Sequence, residues 1–244
     1  MTDRSRPYVV GQYYTSPAEK QAFLRAIFDK TAPYYEGIAR WGWFGSGAAY
    51  RKWALRRAGL QPQMRVIDVA SGTGPVARAI LSIVGEPERV VCVEPSAGMI
   101  AESKKTVPCT HHQATAEDLP VADESFDFLT MGFALRHVDD LNETFREYRR
   151  VLKPGGKAFI MDVTIPEHPV GRAIFTAYFK HLLPWFTLVF SWNREAYRLM
   201  KYYWETMDQM TPRDEVTEIL REAGFRDVSH KVLLGCFSEY EAIR

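Results

Sequence analysis

Four groups of residues between Asp68 and Gly156 carry chemistry that suits one ligand. The first is Asp68-x-Ala70-x-Gly72-x-Gly74, whose small residues let the backbone close on a bound molecule. A helical pattern follows at once, so unpaired N–H groups point back at the loop. Alone, such a loop is also a tight strand-to-helix turn, and dinucleotide-binding proteins use a similar one. Glu94 ends a second β-branched run twenty residues beyond Gly74. There a carboxylate can accept hydrogen bonds from both hydroxyls of a ribose. Ala114-Thr115-Ala116-Glu117-Asp118-Leu119-Pro120 closes a short third strand, where an adenine edge would lie. Ser125-Phe126-Asp127 and then Leu152-Lys153-Pro154-Gly155-Gly156 complete an order that nicotinamide enzymes do not show.

Holding these groups together takes a parallel sheet. Arg65 to Ala70 and Arg89 to Glu94 are continuous apolar runs, the mark of strands buried on both faces. Between them Pro75 stands where a helix tolerates its missing N–H, and Val76, Ile80, Leu81 and Val84 recur at helical spacing. Phe126 to Phe133 (strand), Leu141 to Leu152 (helix) and Lys157 to Val163 (strand) continue the alternation. Repeated strand–helix–strand units predict an α/β fold, a doubly wound, mostly parallel sheet with helices on both faces. Residues 1–61 form a helical, aromatic flank punctuated by Gly37, Gly42, Gly45 and Gly47, and 62–244 form the main domain. From 165 to 212 the strand rhythm stops in favour of helical, aromatic sequence, an insertion placed to cover something. It resumes with a helix from Arg213 to Ala223 and two short strands near Val228 to Val232 and Gly235 to Phe237.

Composition excludes several classes. With 31 Lys+Arg against 30 Asp+Glu in 244 residues, the chain has no basic footprint for nucleic acid. Its 46% hydrophobic content is that of a globular protein rather than a disordered one. Cys92, Cys109 and Cys236 share no metal-ligand spacing and fit a reduced, cytoplasmic setting with neither disulfide nor zinc. The longest uncharged apolar run, Leu182 to Phe190, contains Pro184 and is far below the ~20 residues of a membrane span. The His111-His112 pair does not make a metal site, because neighbours on a strand point to opposite faces. Arg149-Arg150 and Lys104-Lys105 are taken as solvated helix faces.

The ordered motifs resemble the class I S-adenosylmethionine-dependent methyltransferases, with their seven-stranded sheet. Phe28-Asp29-x-x-Ala32-x-x-Tyr35-Glu36, Phe133-Ala134-Leu135-Arg136-His137-Val138 and Ala223-Gly224-Phe225 narrow the resemblance. They are similar to stretches of the ubiquinone/menaquinone biosynthesis C-methyltransferases, the UbiE/COQ5 family, and the likeness covers about 28–235. It implies S-adenosyl-L-methionine as methyl donor, with no metal. Cofactor contacts are implied at Asp68, Ala70, Ser71, Gly72, Thr73, Gly74, Glu94, Pro95, Met99, Thr115, Ala116, Glu117 and Gly132. Departures fall mostly where an acceptor would lie: Pro75 replaces an Asp, His137 an Asn, Trp43 a Ser, and Thr187 and Asn193 a Gly and an Asp.

For the reaction, the resemblance implies C-methylation of an apolar, hydroxylated aromatic ring of quinol type. Arg136 would orient or polarise the ring hydroxyl, His137 could accept its proton near neutral pH, and Tyr35 would close over both ligands. The structural alternatives are Arg136 paired with Asp139 or Asp140, His137 bonded locally, and Tyr35 in a helix core. Tyr34, Trp41, Trp43 and the aromatics from Phe175 to Trp192 are candidates to wall an apolar tunnel. O- or N-methylation of another small metabolite or lipid headgroup, and cofactor binding without methyl transfer, are the competing readings. A small apolar aromatic substrate presented from a membrane surface, peripheral attachment of a cytoplasmic protein and a homo-oligomer are all compatible with them.

Overall fold

A computed structural model describes residues 13–42, 45–191, 193–207 and 210–244. The side chains of Trp41, Trp43 and Trp192, candidates for the tunnel wall, lie outside the described ones. The sheet has seven strands: β1 (Val66–Val69), β2 (Val90–Val93), β3 (Thr110–His112), β4 (Phe126–Gly132), β5 (Leu152–Val163), β6 (Arg226–Leu233) and β7 (Phe237–Ile243). Their order is β3-β2-β1-β4-β5-β7-β6. The pairs from β3 to β5 are parallel, and β7 runs antiparallel to both β5 and β6.

Crossover helices α3 (Pro75–Val84), α4 (Ala97–Ser103), α5 (Leu141–Val151) and α9 (Arg213–Glu222) cover the sheet. Successive strand residues point to opposite faces, so β1 alone shows both halves of the core. Val66 packs with Leu55, Ile80 and Phe159, whereas Ile67 packs with Phe145, Tyr148 and Ile219. Both faces are dry, which is why the strand carries no polar alternation.

The flank consists of α1 (Pro17–Gly42) and α2 (Gly47–Arg57). Gly37 was expected to interrupt it, yet α1 runs through both Pro33 and Gly37. Packing outweighs propensity here: Ile27, Phe28 and Tyr35 join one apolar cluster with Phe175, Phe179, Leu183 and Leu199. Those partners belong to the predicted cap, whose regular elements among the described residues are all helical: α6 (Pro169–Thr176), a π-helical turn (Ala177–Leu182), α7 (Leu183–Ser191) and α8 (Arg194–Met207).

The carboxyl-terminal hairpin differs from expectation. Gly235 lies in its turn, where Leu234 and Gly235 take φ of 51° and 72°, and the second strand extends to Ile243. Glu239 and Glu241 obscured that strand in the sequence. Their charges are met inside the fold: Glu239 by Arg57 and by the Tyr50 hydroxyl at 2.8 Å, Glu241 by Lys157 at 3.0 Å.

Candidate active site

The loop after β1 enters the left-handed region three times, at Ala70 (φ 54°), Gly72 (56°) and Gly74 (84°). Glycine tolerates this freely, but Ala70 is strained, a feature that gathers at functional sites. Gly74 has a second reason to lack a side chain, since a Cβ there would come within 2.6 Å of Ser103 and Val107. Gly74 lines neither of the two cavities described below. Asp68 also sits beneath the loop, fully buried, accepting from the Thr130 hydroxyl at 2.7 Å. Burial pushes its carboxyl up to about 7.

Glu94 organises the other side. Its two oxygens accept from Gly72 N (2.9 Å) and Ser96 N (3.0 Å), tying the β1 loop to the end of β2. Burial raises its carboxyl to about 7 against the pull of those N–H groups. Each oxygen keeps a lone-pair direction for a ribose hydroxyl. Asp29 of α1 fixes the same corner from outside, accepting from Ser96 Oγ (2.5 Å) and Gly98 N (2.8 Å).

Two cavities meet at this loop. The first, about 130 Å³, is lined by Glu94, Pro95, Met99, Thr115, Ala116 and Glu117, with Phe28 and His137 opposite. Its floor loop is held by Arg150, which donates to the Leu119 and Val121 carbonyls at 2.9 Å and pairs with Glu147. The expected solvated face is thus a structural anchor. Glu117 accepts from Asp139 N at 2.7 Å, so one of its oxygens is already engaged. The second cavity, about 90 Å³, is lined by Ser71, Thr73, Arg51, Phe179, Leu183, Met200 and Tyr203. Tyr35, Ala70, Gly72, Gly132 and Phe133 line both. Phe133 has φ of 63°, a second strained residue at the junction.

Arg136 and His137 lie differently from expectation. Arg136 is 7% exposed and lines neither cavity. Its partner is Asp162 at the end of β5, with Nη1–Oδ1 of 3.1 Å. Asp139 pairs instead with Lys20 at 2.9 Å, and Asp140 caps α5 through Asn142 N and Glu143 N. The Arg136 guanidinium lies over the ring of Tyr203, 4.1 Å from its centroid, so its charge stands directly behind a cavity-lining phenol. His137 is wedged edge-on to Phe28 and stacked on Tyr202, with an unpartnered, inaccessible Nδ1. Burial, then Arg136 and Lys20, hold its pKa well below the ordinary histidine value. A titration near 6.5 is therefore not what this environment gives.

Tyr35 lines both cavities, whereas Tyr34 is 44% exposed. Sequence reasoning missed Arg51, Tyr203 and Asp162. Nothing in the sequence distinguishes Arg51 from Lys52, Arg56 and Arg57 on the same basic helix. His111 bonds the Cys109 carbonyl and Ser103 Oγ, and no metal-holding group occurs among the described residues.

A doubly wound sheet with a single reversed strand, a buried carboxylate after β2 tied to the loop after β1, and strained small residues in that loop are the features of a class I S-adenosylmethionine-dependent methyltransferase. A profile of the ubiE/COQ5 methyltransferase family matches residues 16–240, and the chain belongs to that family. Demethylmenaquinone methyltransferase of Chlorobaculum parvum is 33% identical, over 85% of this chain and 86% of that protein. Ubiquinone/menaquinone biosynthesis C-methyltransferase UbiE of Geotalea daltonii is 29% identical, over 91% and 96%. Among solved structures, a methyltransferase of Thermotoga maritima described as a possible histamine N-methyltransferase shares the fold. Its TM-score is 0.63 at 23% identity, over 90% of this chain and 98% of that one. The chain is an S-adenosyl-L-methionine-dependent methyltransferase. The residues present fit that cofactor: Glu94 has lone pairs for the ribose, and Thr73 Oγ1 is buried with no partner of its own.

Proposed function

We propose that the protein methylates a ring carbon of a hydroquinone whose apolar body lies in the second cavity. The observation that carries this reading is the junction of the two cavities. A pocket walled by Phe133, Phe179, Leu183 and Met200, with the phenols of Tyr35 and Tyr203 at one end, opens onto the cofactor loop. Apolar walls with a few placed polar groups suit a hydroxylated aromatic.

When bound, the cofactor supplies an electrophilic methyl on a sulfonium and leaves as the thioether. The protein's part is alignment and charge. Tyr35 and Tyr203 hold the acceptor hydroxyl by hydrogen bonds, and Arg136 behind Tyr203 stabilises negative charge growing there. Its positive field lowers both phenols against the rise that burial imposes. Loss of the hydroxyl proton makes the adjacent carbon nucleophilic, and His137, neutral in this environment, accepts that proton through water. After carbon–carbon bond formation the ring carbon's hydrogen passes as a proton through water to the dienone oxygen, restoring the aromatic hydroquinone, and the proton held by His137 is released to solvent. Asp68, Pro95, Met99, Thr115, Ala116, Glu117 and Gly132 shape the cofactor half.

The cap, 165–212, covers the acceptor half. Its inner side supplies Phe179 and Leu183 to the cavity, and its outer side exposes Val170, Ile174, Leu182, Trp185, Phe186, Leu188 and Val189. No Asp or Glu occurs from 168 to 194, while Arg172, Lys180 and Arg194 do. An apolar stretch whose own charges are all positive suits an anionic bilayer, from which a membrane-dissolved quinol would enter. No helix among the described residues is long and apolar enough to cross a membrane.

The test is transfer of labelled methyl to a panel of hydroquinones, with the product's site of methylation read by NMR. Label on a ring carbon supports the proposal. Label on oxygen, or transfer only to amines, refutes it.

A further inference from the structure

A third cavity, about 320 Å³, stands apart from the reaction described above. It shares no lining residue with the other two, and its walls come from the end of β5, α6, the carboxyl end of α8, the start of α9 and β7. Its charge is one-sided. Arg172 of α6 and Arg213 of α9 line it from separate elements, and among the described residues no Asp or Glu does. Arg172 has no ion pair among the described residues; its Nε donates to the Pro166 carbonyl at 3.3 Å, which leaves the two terminal nitrogens for a ligand. Arg213 pairs with Glu167 at 3.0 Å, but that carboxylate is 79% exposed, and such a pair is readily exchanged. Asp214 acts on His230 and Tyr240 without lining the cavity.

The most deeply buried lining residues carry hydroxyls. Ser238 and Tyr240 are each 1% exposed. Ser238 Oγ lies 2.7 Å from His230 Nε2 and also bonds the Tyr240 hydroxyl. Burial first, then Arg213, lower the His230 pKa, so its imidazole is neutral and supports this chain as a hydrogen-bonding group. Thr164, Thr176 and Thr211 add hydroxyls that bond nothing among the described residues. The remaining wall is apolar: Ile165, Trp204 and Met207, in one cluster with Phe179 and Leu183 of the acceptor cavity.

Guanidinium forks engage phosphate oxygens two at a time, and hydroxyls serve those left over. A carboxylate has too few oxygens for two arginines and the hydroxyls beside them. Inorganic phosphate alone would leave the apolar wall uncovered. We propose that this cavity is a second binding site, for a phosphate ester, with the phosphate between Arg172 and Arg213 and the ester's carbon skeleton against Ile165, Trp204 and Met207. A soluble phosphate ester and a phospholipid headgroup offer the same chemistry. Val170 and Ile174, exposed on α6, flank Arg172 in sequence, so the cavity is open to either source.

The experiment is calorimetric titration of wild type, Arg172→Gln, Arg213→Gln and the double variant with sn-glycerol 3-phosphate at fixed ionic strength. It is run with and without saturating S-adenosylhomocysteine, after circular dichroism has shown the same fold in all four. Each single variant should weaken binding by roughly 10-fold and the double variant by about 100-fold, the range of charge-assisted hydrogen bonds. S-adenosylhomocysteine should change none of these affinities by more than about twofold. A second arm sediments the proteins with phosphatidylcholine vesicles containing phosphatidic acid. Lys180→Gln is its control, because it removes a cap charge that does not line the cavity. Arginine-dependent binding of glycerol phosphate supports the site with a soluble ester. Arginine-dependent vesicle binding alone, with a loss exceeding that of Lys180→Gln, supports it with a lipid headgroup. Displacement of glycerol phosphate by S-adenosylhomocysteine would overturn the proposal, since the ester would then occupy the cofactor cavity. So would arginine variants that bind both probes as wild type does, or vesicle binding that falls equally in Lys180→Gln while the soluble ester does not bind. Each of these results leaves the methyl-transfer reading to its own test.

Discussion

Arg136 and Asp162 form an ion pair, 3.1 Å across, in which neither side chain exposes more than 2% of its surface. The contact is single-pointed: Arg136 Nε and Asp162 Oδ2 are both buried without partners. A pair this dry contributes little net stability, but removing one member leaves the other charge stranded. The role proposed for Arg136 through the phenol of Tyr203 gives the pair a reason that stability does not.

Stability and turnover should therefore separate at this pair. Arg136→Gln should cost about 3–5 kcal/mol of folding free energy and most of the turnover rate. Arg136→Met with Asp162→Leu should recover much of the thermal stability, because both charges are gone, and none of the turnover. A double variant as active as wild type would remove the pair from the reaction.

His137 should set an acid limb below the usual histidine range. Burial first, then Arg136 and Lys20, disfavour its protonated form, so activity that needs a neutral imidazole persists to pH values below about 6.5. The same shift makes stability pH-dependent. Between the folded and unfolded pKa values the unfolded chain binds the extra proton, so stability is present above about 6.5 and declines as pH falls. His137→Asn should abolish both effects; a rate profile identical to wild type would exclude His137 as proton acceptor.

Cofactor affinity should depend on pH through Glu94. Its carboxyl, raised to about 7 by burial, must be ionised to accept from the ribose hydroxyls. The dissociation constant should rise as pH drops below that value, by up to about tenfold per unit. Glu94→Ala should weaken binding by roughly 1.5–3 kcal/mol, and Glu94→Gln should bind weakly with no pH dependence. Calorimetry from pH 5.5 to 8.5 decides, and a flat wild-type profile would contradict the ribose assignment.

The outer face of the cap should bind lipid. Sedimentation with vesicles containing an anionic phospholipid should carry down the wild type, and added salt should release part of it. Trp185→Asp with Phe186→Asp should weaken this by about tenfold or more while leaving S-adenosylhomocysteine affinity intact. Equal sedimentation of both proteins would leave the apolar face without this role.

Much of the cofactor half was legible because its chemistry is local. The β1 loop and Glu94 are short stretches at strand ends, where small residues and a carboxylate stand out against apolar runs. Arg136 was legible as a residue but not in its surroundings, since Asp162 lies 26 positions away and reaches it only through adjacent strands. Arg51 and Tyr203 were missed for a related reason. Each is ordinary on its own helix and acquires a role only when α2 and α8 converge on one cavity. The β7 strand escaped because its buried glutamates read as solvent-facing until their cationic partners are seen.

The position of β7 has a consequence for how the protein is made. The strand lies inside the sheet, between β5 and β6, although it leaves the ribosome after both. Until residues 237–243 emerge, β5 keeps an open edge, and β6 has no partner because it pairs only with β7. The hairpin must form first and dock as a unit. Glu239 on that strand also receives Arg57, the last residue of α2, and Tyr50, in its first turn, on the helix that carries Arg51. A nascent chain without β7 thus lacks Glu239, the partner that ties α2, and with it Arg51, to the sheet.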